Sequence, residues 1–282
     1  MTEPELNDRF SRLIRDHYVF PEVAEKIAAE LAAEAPDGAA EDVAARLTER
    51  IQTVNQDRHL RVRRRASGAL AGPTDWEAHY AADSVRNAGG VRRVERLDER
   101  TGLLAIAPYT SPVHMAERYV AAAFALLAGS ERLVIDLREG RGGTPETVAL
   151  ICGYLLGNEP VHLQDMVDRA GNTRQFWSTP AAGRLDDAVA VAVLTSERTF
   201  SGCEELAYDL QALKRATVIG RRTGGGAHPV EVFELTDELE VTVPVARSVN
   251  AVTGTNWEQV GVVPDVECDP EVALDRAREL LG

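Results

Sequence analysis

The stretch LVIDLREGRGGTP, residues 133–145, indicates the fold of this 282-residue chain. It begins with a short apolar run bounded by charged residues and glycines, a pattern typical of a central strand in a parallel sheet. A glycine-rich turn follows, and Pro145 near the start of the next segment favours a helix there. The stretch therefore predicts a strand, a tight turn and a helix in succession, which is the repeating unit of an α/β protein.

Segments of the same kind continue on both sides of this stretch. Apolar runs at 102–107, 188–194 and 217–220 predict further buried strands. Apolar-faced helices are expected between and after the strands, over residues 117–127, 145–156, 202–213 and 270–280. Because strands and helices alternate, the sequence predicts an α/β core whose crossover connections are right-handed.

The N-terminal part of the chain has a different pattern. Apolar residues recur at helical spacing within 23–31 and 42–51, and a strand is expected at 60–63. Residues 66–90 show little periodicity and predict a linker or a loosely structured segment. The expected domains are therefore a helical N-terminal domain (1–65) that ends in the His59 motif, a linker with the first strands (66–101) and an α/β core (102–282).

Composition narrows the class of function. Lys and Arg number 31 and Asp and Glu number 45, so the formal net charge is −14, which disfavours nucleic acid and anionic membranes as partners. The three cysteines lie far apart without metal-binding or redox spacing, so neither a metal nor a cofactor is expected. Their odd number favours a reducing compartment. Because the N-terminus lacks an apolar leader, the sequence predicts a cytoplasmic protein.

Three loops that follow predicted strands could carry chemistry, because the loops at the carboxyl ends of parallel strands open at one edge of a sheet. The loop at 136–145 could present backbone N–H groups to an anion, or could simply be a tight turn that needs glycine. Ser201 could be a nucleophile at a strand-to-helix turn, or an N-cap that forms a capping box with Glu204. Glu258 lies in a polar loop, where a solvated carboxylate is the plain alternative.

A serine nucleophile needs a base. His59 is the first choice because it lies beside Asp57 at a helix-to-strand junction, and His228 in a glycine loop that we expect to be flexible is the second. Lysine is scarce: Lys26 lies in the N-terminal helices, and Lys214 lies about 20 Å from Ser201 along the same helix. A Ser–Lys dyad within the core is therefore implausible, and histidine remains.

Six motifs in order along the chain resemble one family. They are HYVFP (17–21), DRHL (57–60), IDLR with Gly142 and Gly143 (135–143), LTS through TFS (194–201), EELAYDL (204–210), and VTGTNWE with GVVPD (252–265). With these motifs the chain resembles the tail-specific, or C-terminal-processing, serine peptidases over nearly its whole length. It is most similar to the branch that shares its fold with the repeats of interphotoreceptor retinoid-binding protein, which implies an α/β core of the ClpP/crotonase-like kind.

The resemblance implies a role for each matching residue. A lysine follows the serine in the Ser–Lys branch, whereas this chain has only threonine and glycines at 223–226, so the tricorn-like Ser/His/Glu site is implied instead. The implied roles are Ser201 as nucleophile, His59 as base, Glu258 as its orienting carboxylate, Glu204 as a helper, and Gly142, Gly202 and alternatively Gly143 as oxyanion donors. Arg138 and Phe200 are weaker candidates for substrate contacts.

These roles predict a serine peptidase that hydrolyses unfolded or C-terminal peptide segments through an acyl-enzyme. Its expected partner is a peptide or protein, and the sequence leaves a homo-oligomer open. Residues 66–101 are too few for a peptide-binding PDZ module, so capture by such a module is not expected. The competing hypothesis is a non-catalytic protein that binds a hydrophobic small molecule on the same fold, with Ser201 as a helix cap and His59 as a structural residue.

Overall fold

A computed structural model describes residues 3–32, 38–65 and 81–282 of the chain. Contacts between residues divide the chain into two compact units. The first unit comprises Met1–Ala71, Met166–Arg174 and His228–Val249, and the second comprises Gly72–Asp165, Gln175–Ala227 and Asn250–Gly282. Among the described residues, no helix is both long enough and apolar enough to cross a membrane.

The second unit is built on a mixed six-stranded sheet. Its strands are β2 (Val91–Arg96), β3 (Thr101–Ile106), β4 (Arg132–Asp136), β7 (Ala190–Thr195), β8 (Thr217–Gly220) and β12 (Val266–Glu267), in the order β12-β8-β7-β4-β3-β2. Neighbouring strands from β12 to β3 pair in parallel, and the edge strand β2 pairs antiparallel with β3. The predicted parallel α/β core is thus confirmed, with an antiparallel strand added at one edge.

The central strands are buried on both faces, as their apolar runs predict. Leu133 and Ile135 of β4 belong to one apolar cluster, whereas Val134 between them belongs to another, and all three are fully buried. Successive side chains of a strand point to opposite faces, so both faces of the sheet must be covered. The second unit accordingly has a core on each side of its sheet.

Helices cover the two faces of this sheet. The helices are α4 (Val113–Leu127), α5 (Pro145–Gly153), α6 (Gly202–Ala212) and α7 (Ala273–Leu281). The first three contribute to the larger cluster, and α7 packs Ala273 and Ala277 against the other face. Pro145 occupies the first turn of α5, where its missing N–H has no intrahelical acceptor to lose. All four helices were predicted from the sequence, with ends that differ by a few residues.

The first unit combines helices with a small antiparallel sheet. Its helices are α1 (Glu3–His17), α2 (Pro21–Leu31) and α3 (Ala40–Val54), and the strands β1 (Arg61–Arg64), β10 (Leu239–Pro244) and β9 (Val230–Glu234) pair in that order. The predicted inward residues of α2 and α3, such as Ile27, Leu47 and Ile51, are fully buried. They pack with Leu235 and Val241 in one apolar core.

The structure differs from the sequence prediction in three places. Residues 66–80 of the expected loose segment lie outside the described residues, but residues 81–86 are helical and Ala88–Gly90 form a 3-10 turn. Strands were not predicted at β9 and β10 of the small sheet. They were also not predicted at β5 (Val161–Asp168), β6 (Thr173–Ser178) or β11 (Ala246–Asn250), which form a third sheet in the order β11-β5-β6. The first unit also takes in residues far downstream of the expected helical domain, whereas the domain boundaries at 65 and 101 remain a prediction.

Candidate active site

Ser201 occupies a strained backbone position at the start of α6. Its φ is 52° and its ψ is −126°, a backbone conformation that residues other than glycine rarely adopt. Such a position costs on the order of 1–3 kcal/mol and persists only where the surrounding structure imposes it. A serine on a sharp turn between a strand and a helix is the arrangement known as a nucleophile elbow, which presents the hydroxyl at the edge of the sheet.

Neighbouring loops impose this conformation on the serine. The Phe200 N–H donates to the Gly140 carbonyl at 3.0 Å, and the Thr199 hydroxyl donates to the Leu137 carbonyl at 2.8 Å. The loop before Ser201 is therefore fixed to the glycine-rich turn after β4. The two loops predicted to meet at one edge of the sheet do so.

The glycine-rich turn packs directly against Ser201 and Gly202. A Cβ atom on Gly202 would lie 2.7 Å from the carbonyl oxygen of Gly143, and one on Gly142 would lie 3.8 Å from the Ser201 Oγ. Gly142 and Gly143 have φ values of 151° and 152°, which favour glycine. The structure thus brings all three predicted oxyanion glycines to the serine, while their role as donors remains a prediction.

Glu204 forms the capping box expected from the sequence, and it does more. The Ser201 side chain accepts the Glu204 N–H, and a Glu204 carboxylate oxygen accepts the Ser201 N–H at 2.8 Å. The same carboxylate accepts the N–H groups of Gly225 at 2.6 Å and Gly226 at 2.9 Å, together with the Thr223 hydroxyl. Burial raises the pKa of Glu204 to about 7, although these donors act in the opposite direction.

Glu258 holds the residue that follows these glycines. Its carboxylate accepts the Ala227 N–H at 2.6 Å, and the buried Trp257 indole donates to the Gly226 carbonyl at 2.8 Å. Glu258 is half-buried, so it is not the fully solvated loop carboxylate that was one alternative. The expectation of a flexible glycine loop is wrong, because two carboxylates bind the backbone of residues 225–227.

His59 lies in the first unit, after α3 and just before β1. Its backbone N–H donates to the Asp57 carboxylate at 3.0 Å, and its backbone carbonyl accepts the Thr242 hydroxyl at 2.5 Å. Burial lowers the pKa of His59 to about 4, and the charge of His228 acts in the same direction. The imidazole is therefore neutral near pH 7, which is the state that a general base requires.

His228, the second choice for the base in the sequence analysis, is buried beside Asp57. The His228 Nδ1 lies 2.8 Å from an Asp57 carboxylate oxygen, and the Tyr18 hydroxyl donates to the same oxygen at 3.0 Å. Burial alone would raise the pKa of Asp57, but the hydrogen bond and charge of His228 lower it below its usual value. No sequence motif indicated this pair, since its members are 171 positions apart.

Arg138 and Phe200, the weaker candidates for substrate contacts, are both tied to neighbouring groups. Arg138 donates to both carboxylate oxygens of Asp136 and to the Pro270 carbonyl. This pairing raises the pKa of Arg138. The Phe200 ring lies against Gly224, where a Cβ atom would be 2.8 Å from the Cδ2 of the ring. Arg138 also lines an open cavity of about 800 Å³ in the second unit.

The inner face of α6 carries two fully buried carboxyl groups one turn apart, Glu205 and Asp209. Burial raises the pKa of both, that of Asp209 to about 7. The Asn250 amide donates to Asp209 Oδ1 at 2.9 Å, and Cys152 lies close enough for both carboxyl groups to raise its pKa further. These groups were not singled out from the sequence.

Replacing Asp209 with asparagine is expected to stabilise the protein increasingly as the pH rises from about 4 to about 7. A carboxyl whose pKa rises on folding holds its proton more tightly in the folded state, so its contribution to stability is lost as the pH rises from about 4 to about 7. Asparagine stays neutral and can still accept the hydrogen bond from Asn250. Scanning calorimetry should give Asp209→Asn a Tm that exceeds the wild-type value by on the order of 5 °C at pH 8 and by clearly less at pH 5.

The exposed Asp237→Asn is the matched control for this measurement, and we expect its Tm to follow the wild type at both pH values. An equal gain for Asp209→Asn at pH 5 and pH 8 would show that the carboxyl is not neutral in the fold.

A serine on a strained strand-to-helix turn, with a glycine turn packed beside it, is the geometry of the nucleophile elbow in α/β hydrolases. The family model described as peptidase family S41 matches residues 100–268. The chain belongs to peptidase family S41.

Two relatives in sequence agree with this assignment. The chain is 33% identical over 144 residues to the chloroplastic C-terminal processing peptidase of Tetradesmus obliquus, over 51% of this chain and 30% of that protein. It is 33% identical over 138 residues to the carboxyl-terminal-processing protease of a Picosynechococcus strain, over 49% of this chain and 32% of that one. The chain thus spans about a third of the length of these relatives.

Three solved structures share the fold. A putative peptidase from Parabacteroides merdae aligns over 100% of this chain and 97% of its own, with a TM-score of 0.69 and 19% identity. The photosystem II D1 C-terminal processing protease aligns over 100% and 98%, with a TM-score of 0.58 and 18% identity. The tricorn protease aligns over 99% of this chain and 36% of its own, with a TM-score of 0.62 and 15% identity.

Proposed function

We propose that this protein is a serine peptidase that hydrolyses peptide bonds through an acyl-enzyme. The observation that carries the proposal is the geometry of Ser201 in a chain of peptidase family S41. The serine lies on a strained turn, the glycine turn packs against its hydroxyl, and Glu204 binds its N–H. A helix cap alone needs neither the positive φ nor the packed glycines, because caps usually have extended backbone angles.

In the proposed reaction His59 accepts the proton of the Ser201 hydroxyl while the oxygen attacks the substrate carbonyl carbon. Backbone N–H groups of Gly142 and Gly202, or Gly143, stabilise the resulting oxyanion. His59 then gives the proton to the leaving amine, and the acyl-enzyme is released by a water that His59 activates in the same way. Glu258 orients the imidazole and stabilises its cation. Because burial lowers the pKa of His59, its imidazole is neutral at pH 7 and able to accept a proton.

The proposed substrates are unfolded segments or free C-terminal tails of peptides and proteins. Support comes from the two relatives named for C-terminal processing, each of which is 33% identical to this chain. Two further parts of the proposal are the tricorn-like Ser/His/Glu site and the branch related to interphotoreceptor retinoid-binding protein. A cytoplasmic location is also proposed, with the unpaired thiols of all three cysteines in support.

A comparison of peptides that differ only at their C-terminus tests the substrate class. We expect the protein to cleave an unstructured peptide with a free C-terminal carboxylate faster than the same peptide with a C-terminal amide, by about tenfold or more for one lost charged contact. Mass spectrometry of the products measures both rates. Equal rates for the two peptides would contradict recognition of the tail while leaving hydrolysis itself intact.

A further inference from the structure

Asp57 of the first unit is a buried carboxylate on which three donors converge. It is fully inaccessible to solvent, and its Oδ1 accepts the N–H of His59 at 3.0 Å. Its Oδ2 accepts the Tyr18 hydroxyl at 3.0 Å and lies 2.8 Å from the Nδ1 of His228. The carboxylate therefore has one oxygen on the backbone of the proposed base and the other on two buried aromatic side chains.

A buried carboxylate is costly unless its partners are complete, because desolvation of the charge must be offset by hydrogen bonds and an opposite charge. His228 is only 5% exposed and Tyr18 is fully buried, so their geometry is restricted by packing. The Phe20 ring lies edge-on to the His228 ring, with 5.4 Å between ring centroids. Through Asp57, this packing limits where the His59 backbone can lie.

The main chain that leads into His228 is held at the residues just before it. Glu204 binds the N–H groups of Gly225 and Gly226, and Glu258 binds the N–H of Ala227. Glu204 also binds the N–H of Ser201. The segment that directly precedes His228 is thus fixed to the turn of Ser201.

We propose that His228 is a positioning residue for hydrolysis, which fixes Asp57 and through it the backbone of His59, while the segment before it is fixed to the turn of Ser201. This inference rests on the proposed function, because it assigns His59 the role of base. His228 itself touches neither substrate nor reacting atoms in this role. Its contribution is to the geometry of the base, which acts on kcat rather than on substrate binding.

Two substitutions of His228 test whether the position of the donor nitrogen matters, since both introduce a polar amide side chain. Asparagine can place its amide nitrogen where the imidazole has Nδ1 and can still donate to Asp57, whereas glutamine places its nitrogen near the position of Nε2. We expect His228→Gln to lower kcat by about 10- to 100-fold with KM changed less than about twofold. We expect His228→Asn to restore kcat to within about threefold of the wild type, since it keeps the hydrogen bond.

Two further variants guard against a general loss of stability. Thr48→Val removes a half-buried hydroxyl that bonds the Val62 backbone elsewhere in the first unit, so it should lower the Tm without changing kcat. Tyr18→Phe removes another donor to Asp57 while keeping the ring, and we expect a several-fold loss of kcat without loss of the fold. It carries the test if either His228 variant fails to fold.

The wild type is measured first, with Ser201→Ala as the blank. If the wild type hydrolyses no peptide and forms no covalent adduct with a fluorophosphonate, the proposed function itself is refuted. If the wild type is active but His228→Gln equals His228→Asn, or Tyr18→Phe keeps full kcat, the positioning role is overturned while the proposed function stands. A kcat that is low in His228→Gln and close to the wild-type value in His228→Asn supports the inference.

Discussion

Replacing Ser201 with alanine is expected to lower kcat/KM for peptide hydrolysis by on the order of 10⁶-fold, as loss of a nucleophile does in serine peptidases. The reason is that the variant keeps the glycine turn and the base but has no oxygen to form the acyl-enzyme. Steady-state hydrolysis of an unstructured peptide measures the loss. Ser130→Ala is the matched control, because Ser130 is a buried serine of the same unit whose hydroxyl accepts a hydrogen bond from Arg96.

Replacing Ser201 with glycine should abolish activity but increase the stability of the fold. Ser201 has a φ of 52°, which glycine adopts without steric cost. We therefore expect Ser201→Gly to be as inactive as Ser201→Ala. It should unfold at a higher temperature than Ser201→Ala, with a free energy of unfolding that is larger by about 1 kcal/mol. Ser130→Ala should keep full activity. An active Ser201→Ala would exclude the acyl-enzyme, and a Ser201→Gly no more stable than Ser201→Ala would exclude strain at the serine.

Replacing Glu204 with glutamine is expected to lower kcat by about 10²-fold. Each carboxylate oxygen of Glu204 accepts a backbone N–H, from Gly225 on one side and from Ser201 and Gly226 on the other. The amide nitrogen of glutamine must face one of these N–H groups, so a donor meets a donor and the turn shifts. Peptide hydrolysis as a function of pH measures the effect.

The pH profile distinguishes this cause from simple loss of packing. Burial raises the pKa of Glu204 to about 7, so the wild type should lose activity as the pH falls through that value and one oxygen gains a proton. Glutamine imitates the protonated group permanently, and we expect its profile to be flat in this range. Glu139→Gln is the control, since Glu139 is an exposed carboxylate that pairs with Arg198. A Glu204→Gln variant that retains the wild-type acid limb would rule out this role for Glu204.

Much of the second unit could be predicted because its strands are buried on both faces. The run 133–137 is apolar except for Asp136, and such runs stand out against charged and glycine-rich boundaries. The strands of the other two sheets could not be recognised in this way. Val230–Glu234 is mostly exposed, and Val161–Asp168 is largely half-buried, so neither gives a continuous apolar run. Their pairing depends on partners distant in sequence.

The candidate site was predictable where chemistry and local structure share a short stretch. Ser201 and Glu204 lie three residues apart, and the capping box expected from that spacing is present. The remaining contacts of Glu204 join it to residues some twenty positions away, for which spacing along the chain carries no information. The pairing of His228 with Asp57 escaped notice for the same reason, and its glycine-rich context suggested mobility where the backbone is held by carboxylates.

Covalent labelling of the intact protein with a fluorophosphonate, followed by mass-spectrometric mapping, tests the central claim most directly. We predict one adduct, at Ser201, that forms in the wild type and in Ser130→Ala and is absent in Ser201→Ala and in His59→Ala. No adduct in the wild type, an adduct at another serine, or undiminished labelling of Ser201 in His59→Ala would contradict the account.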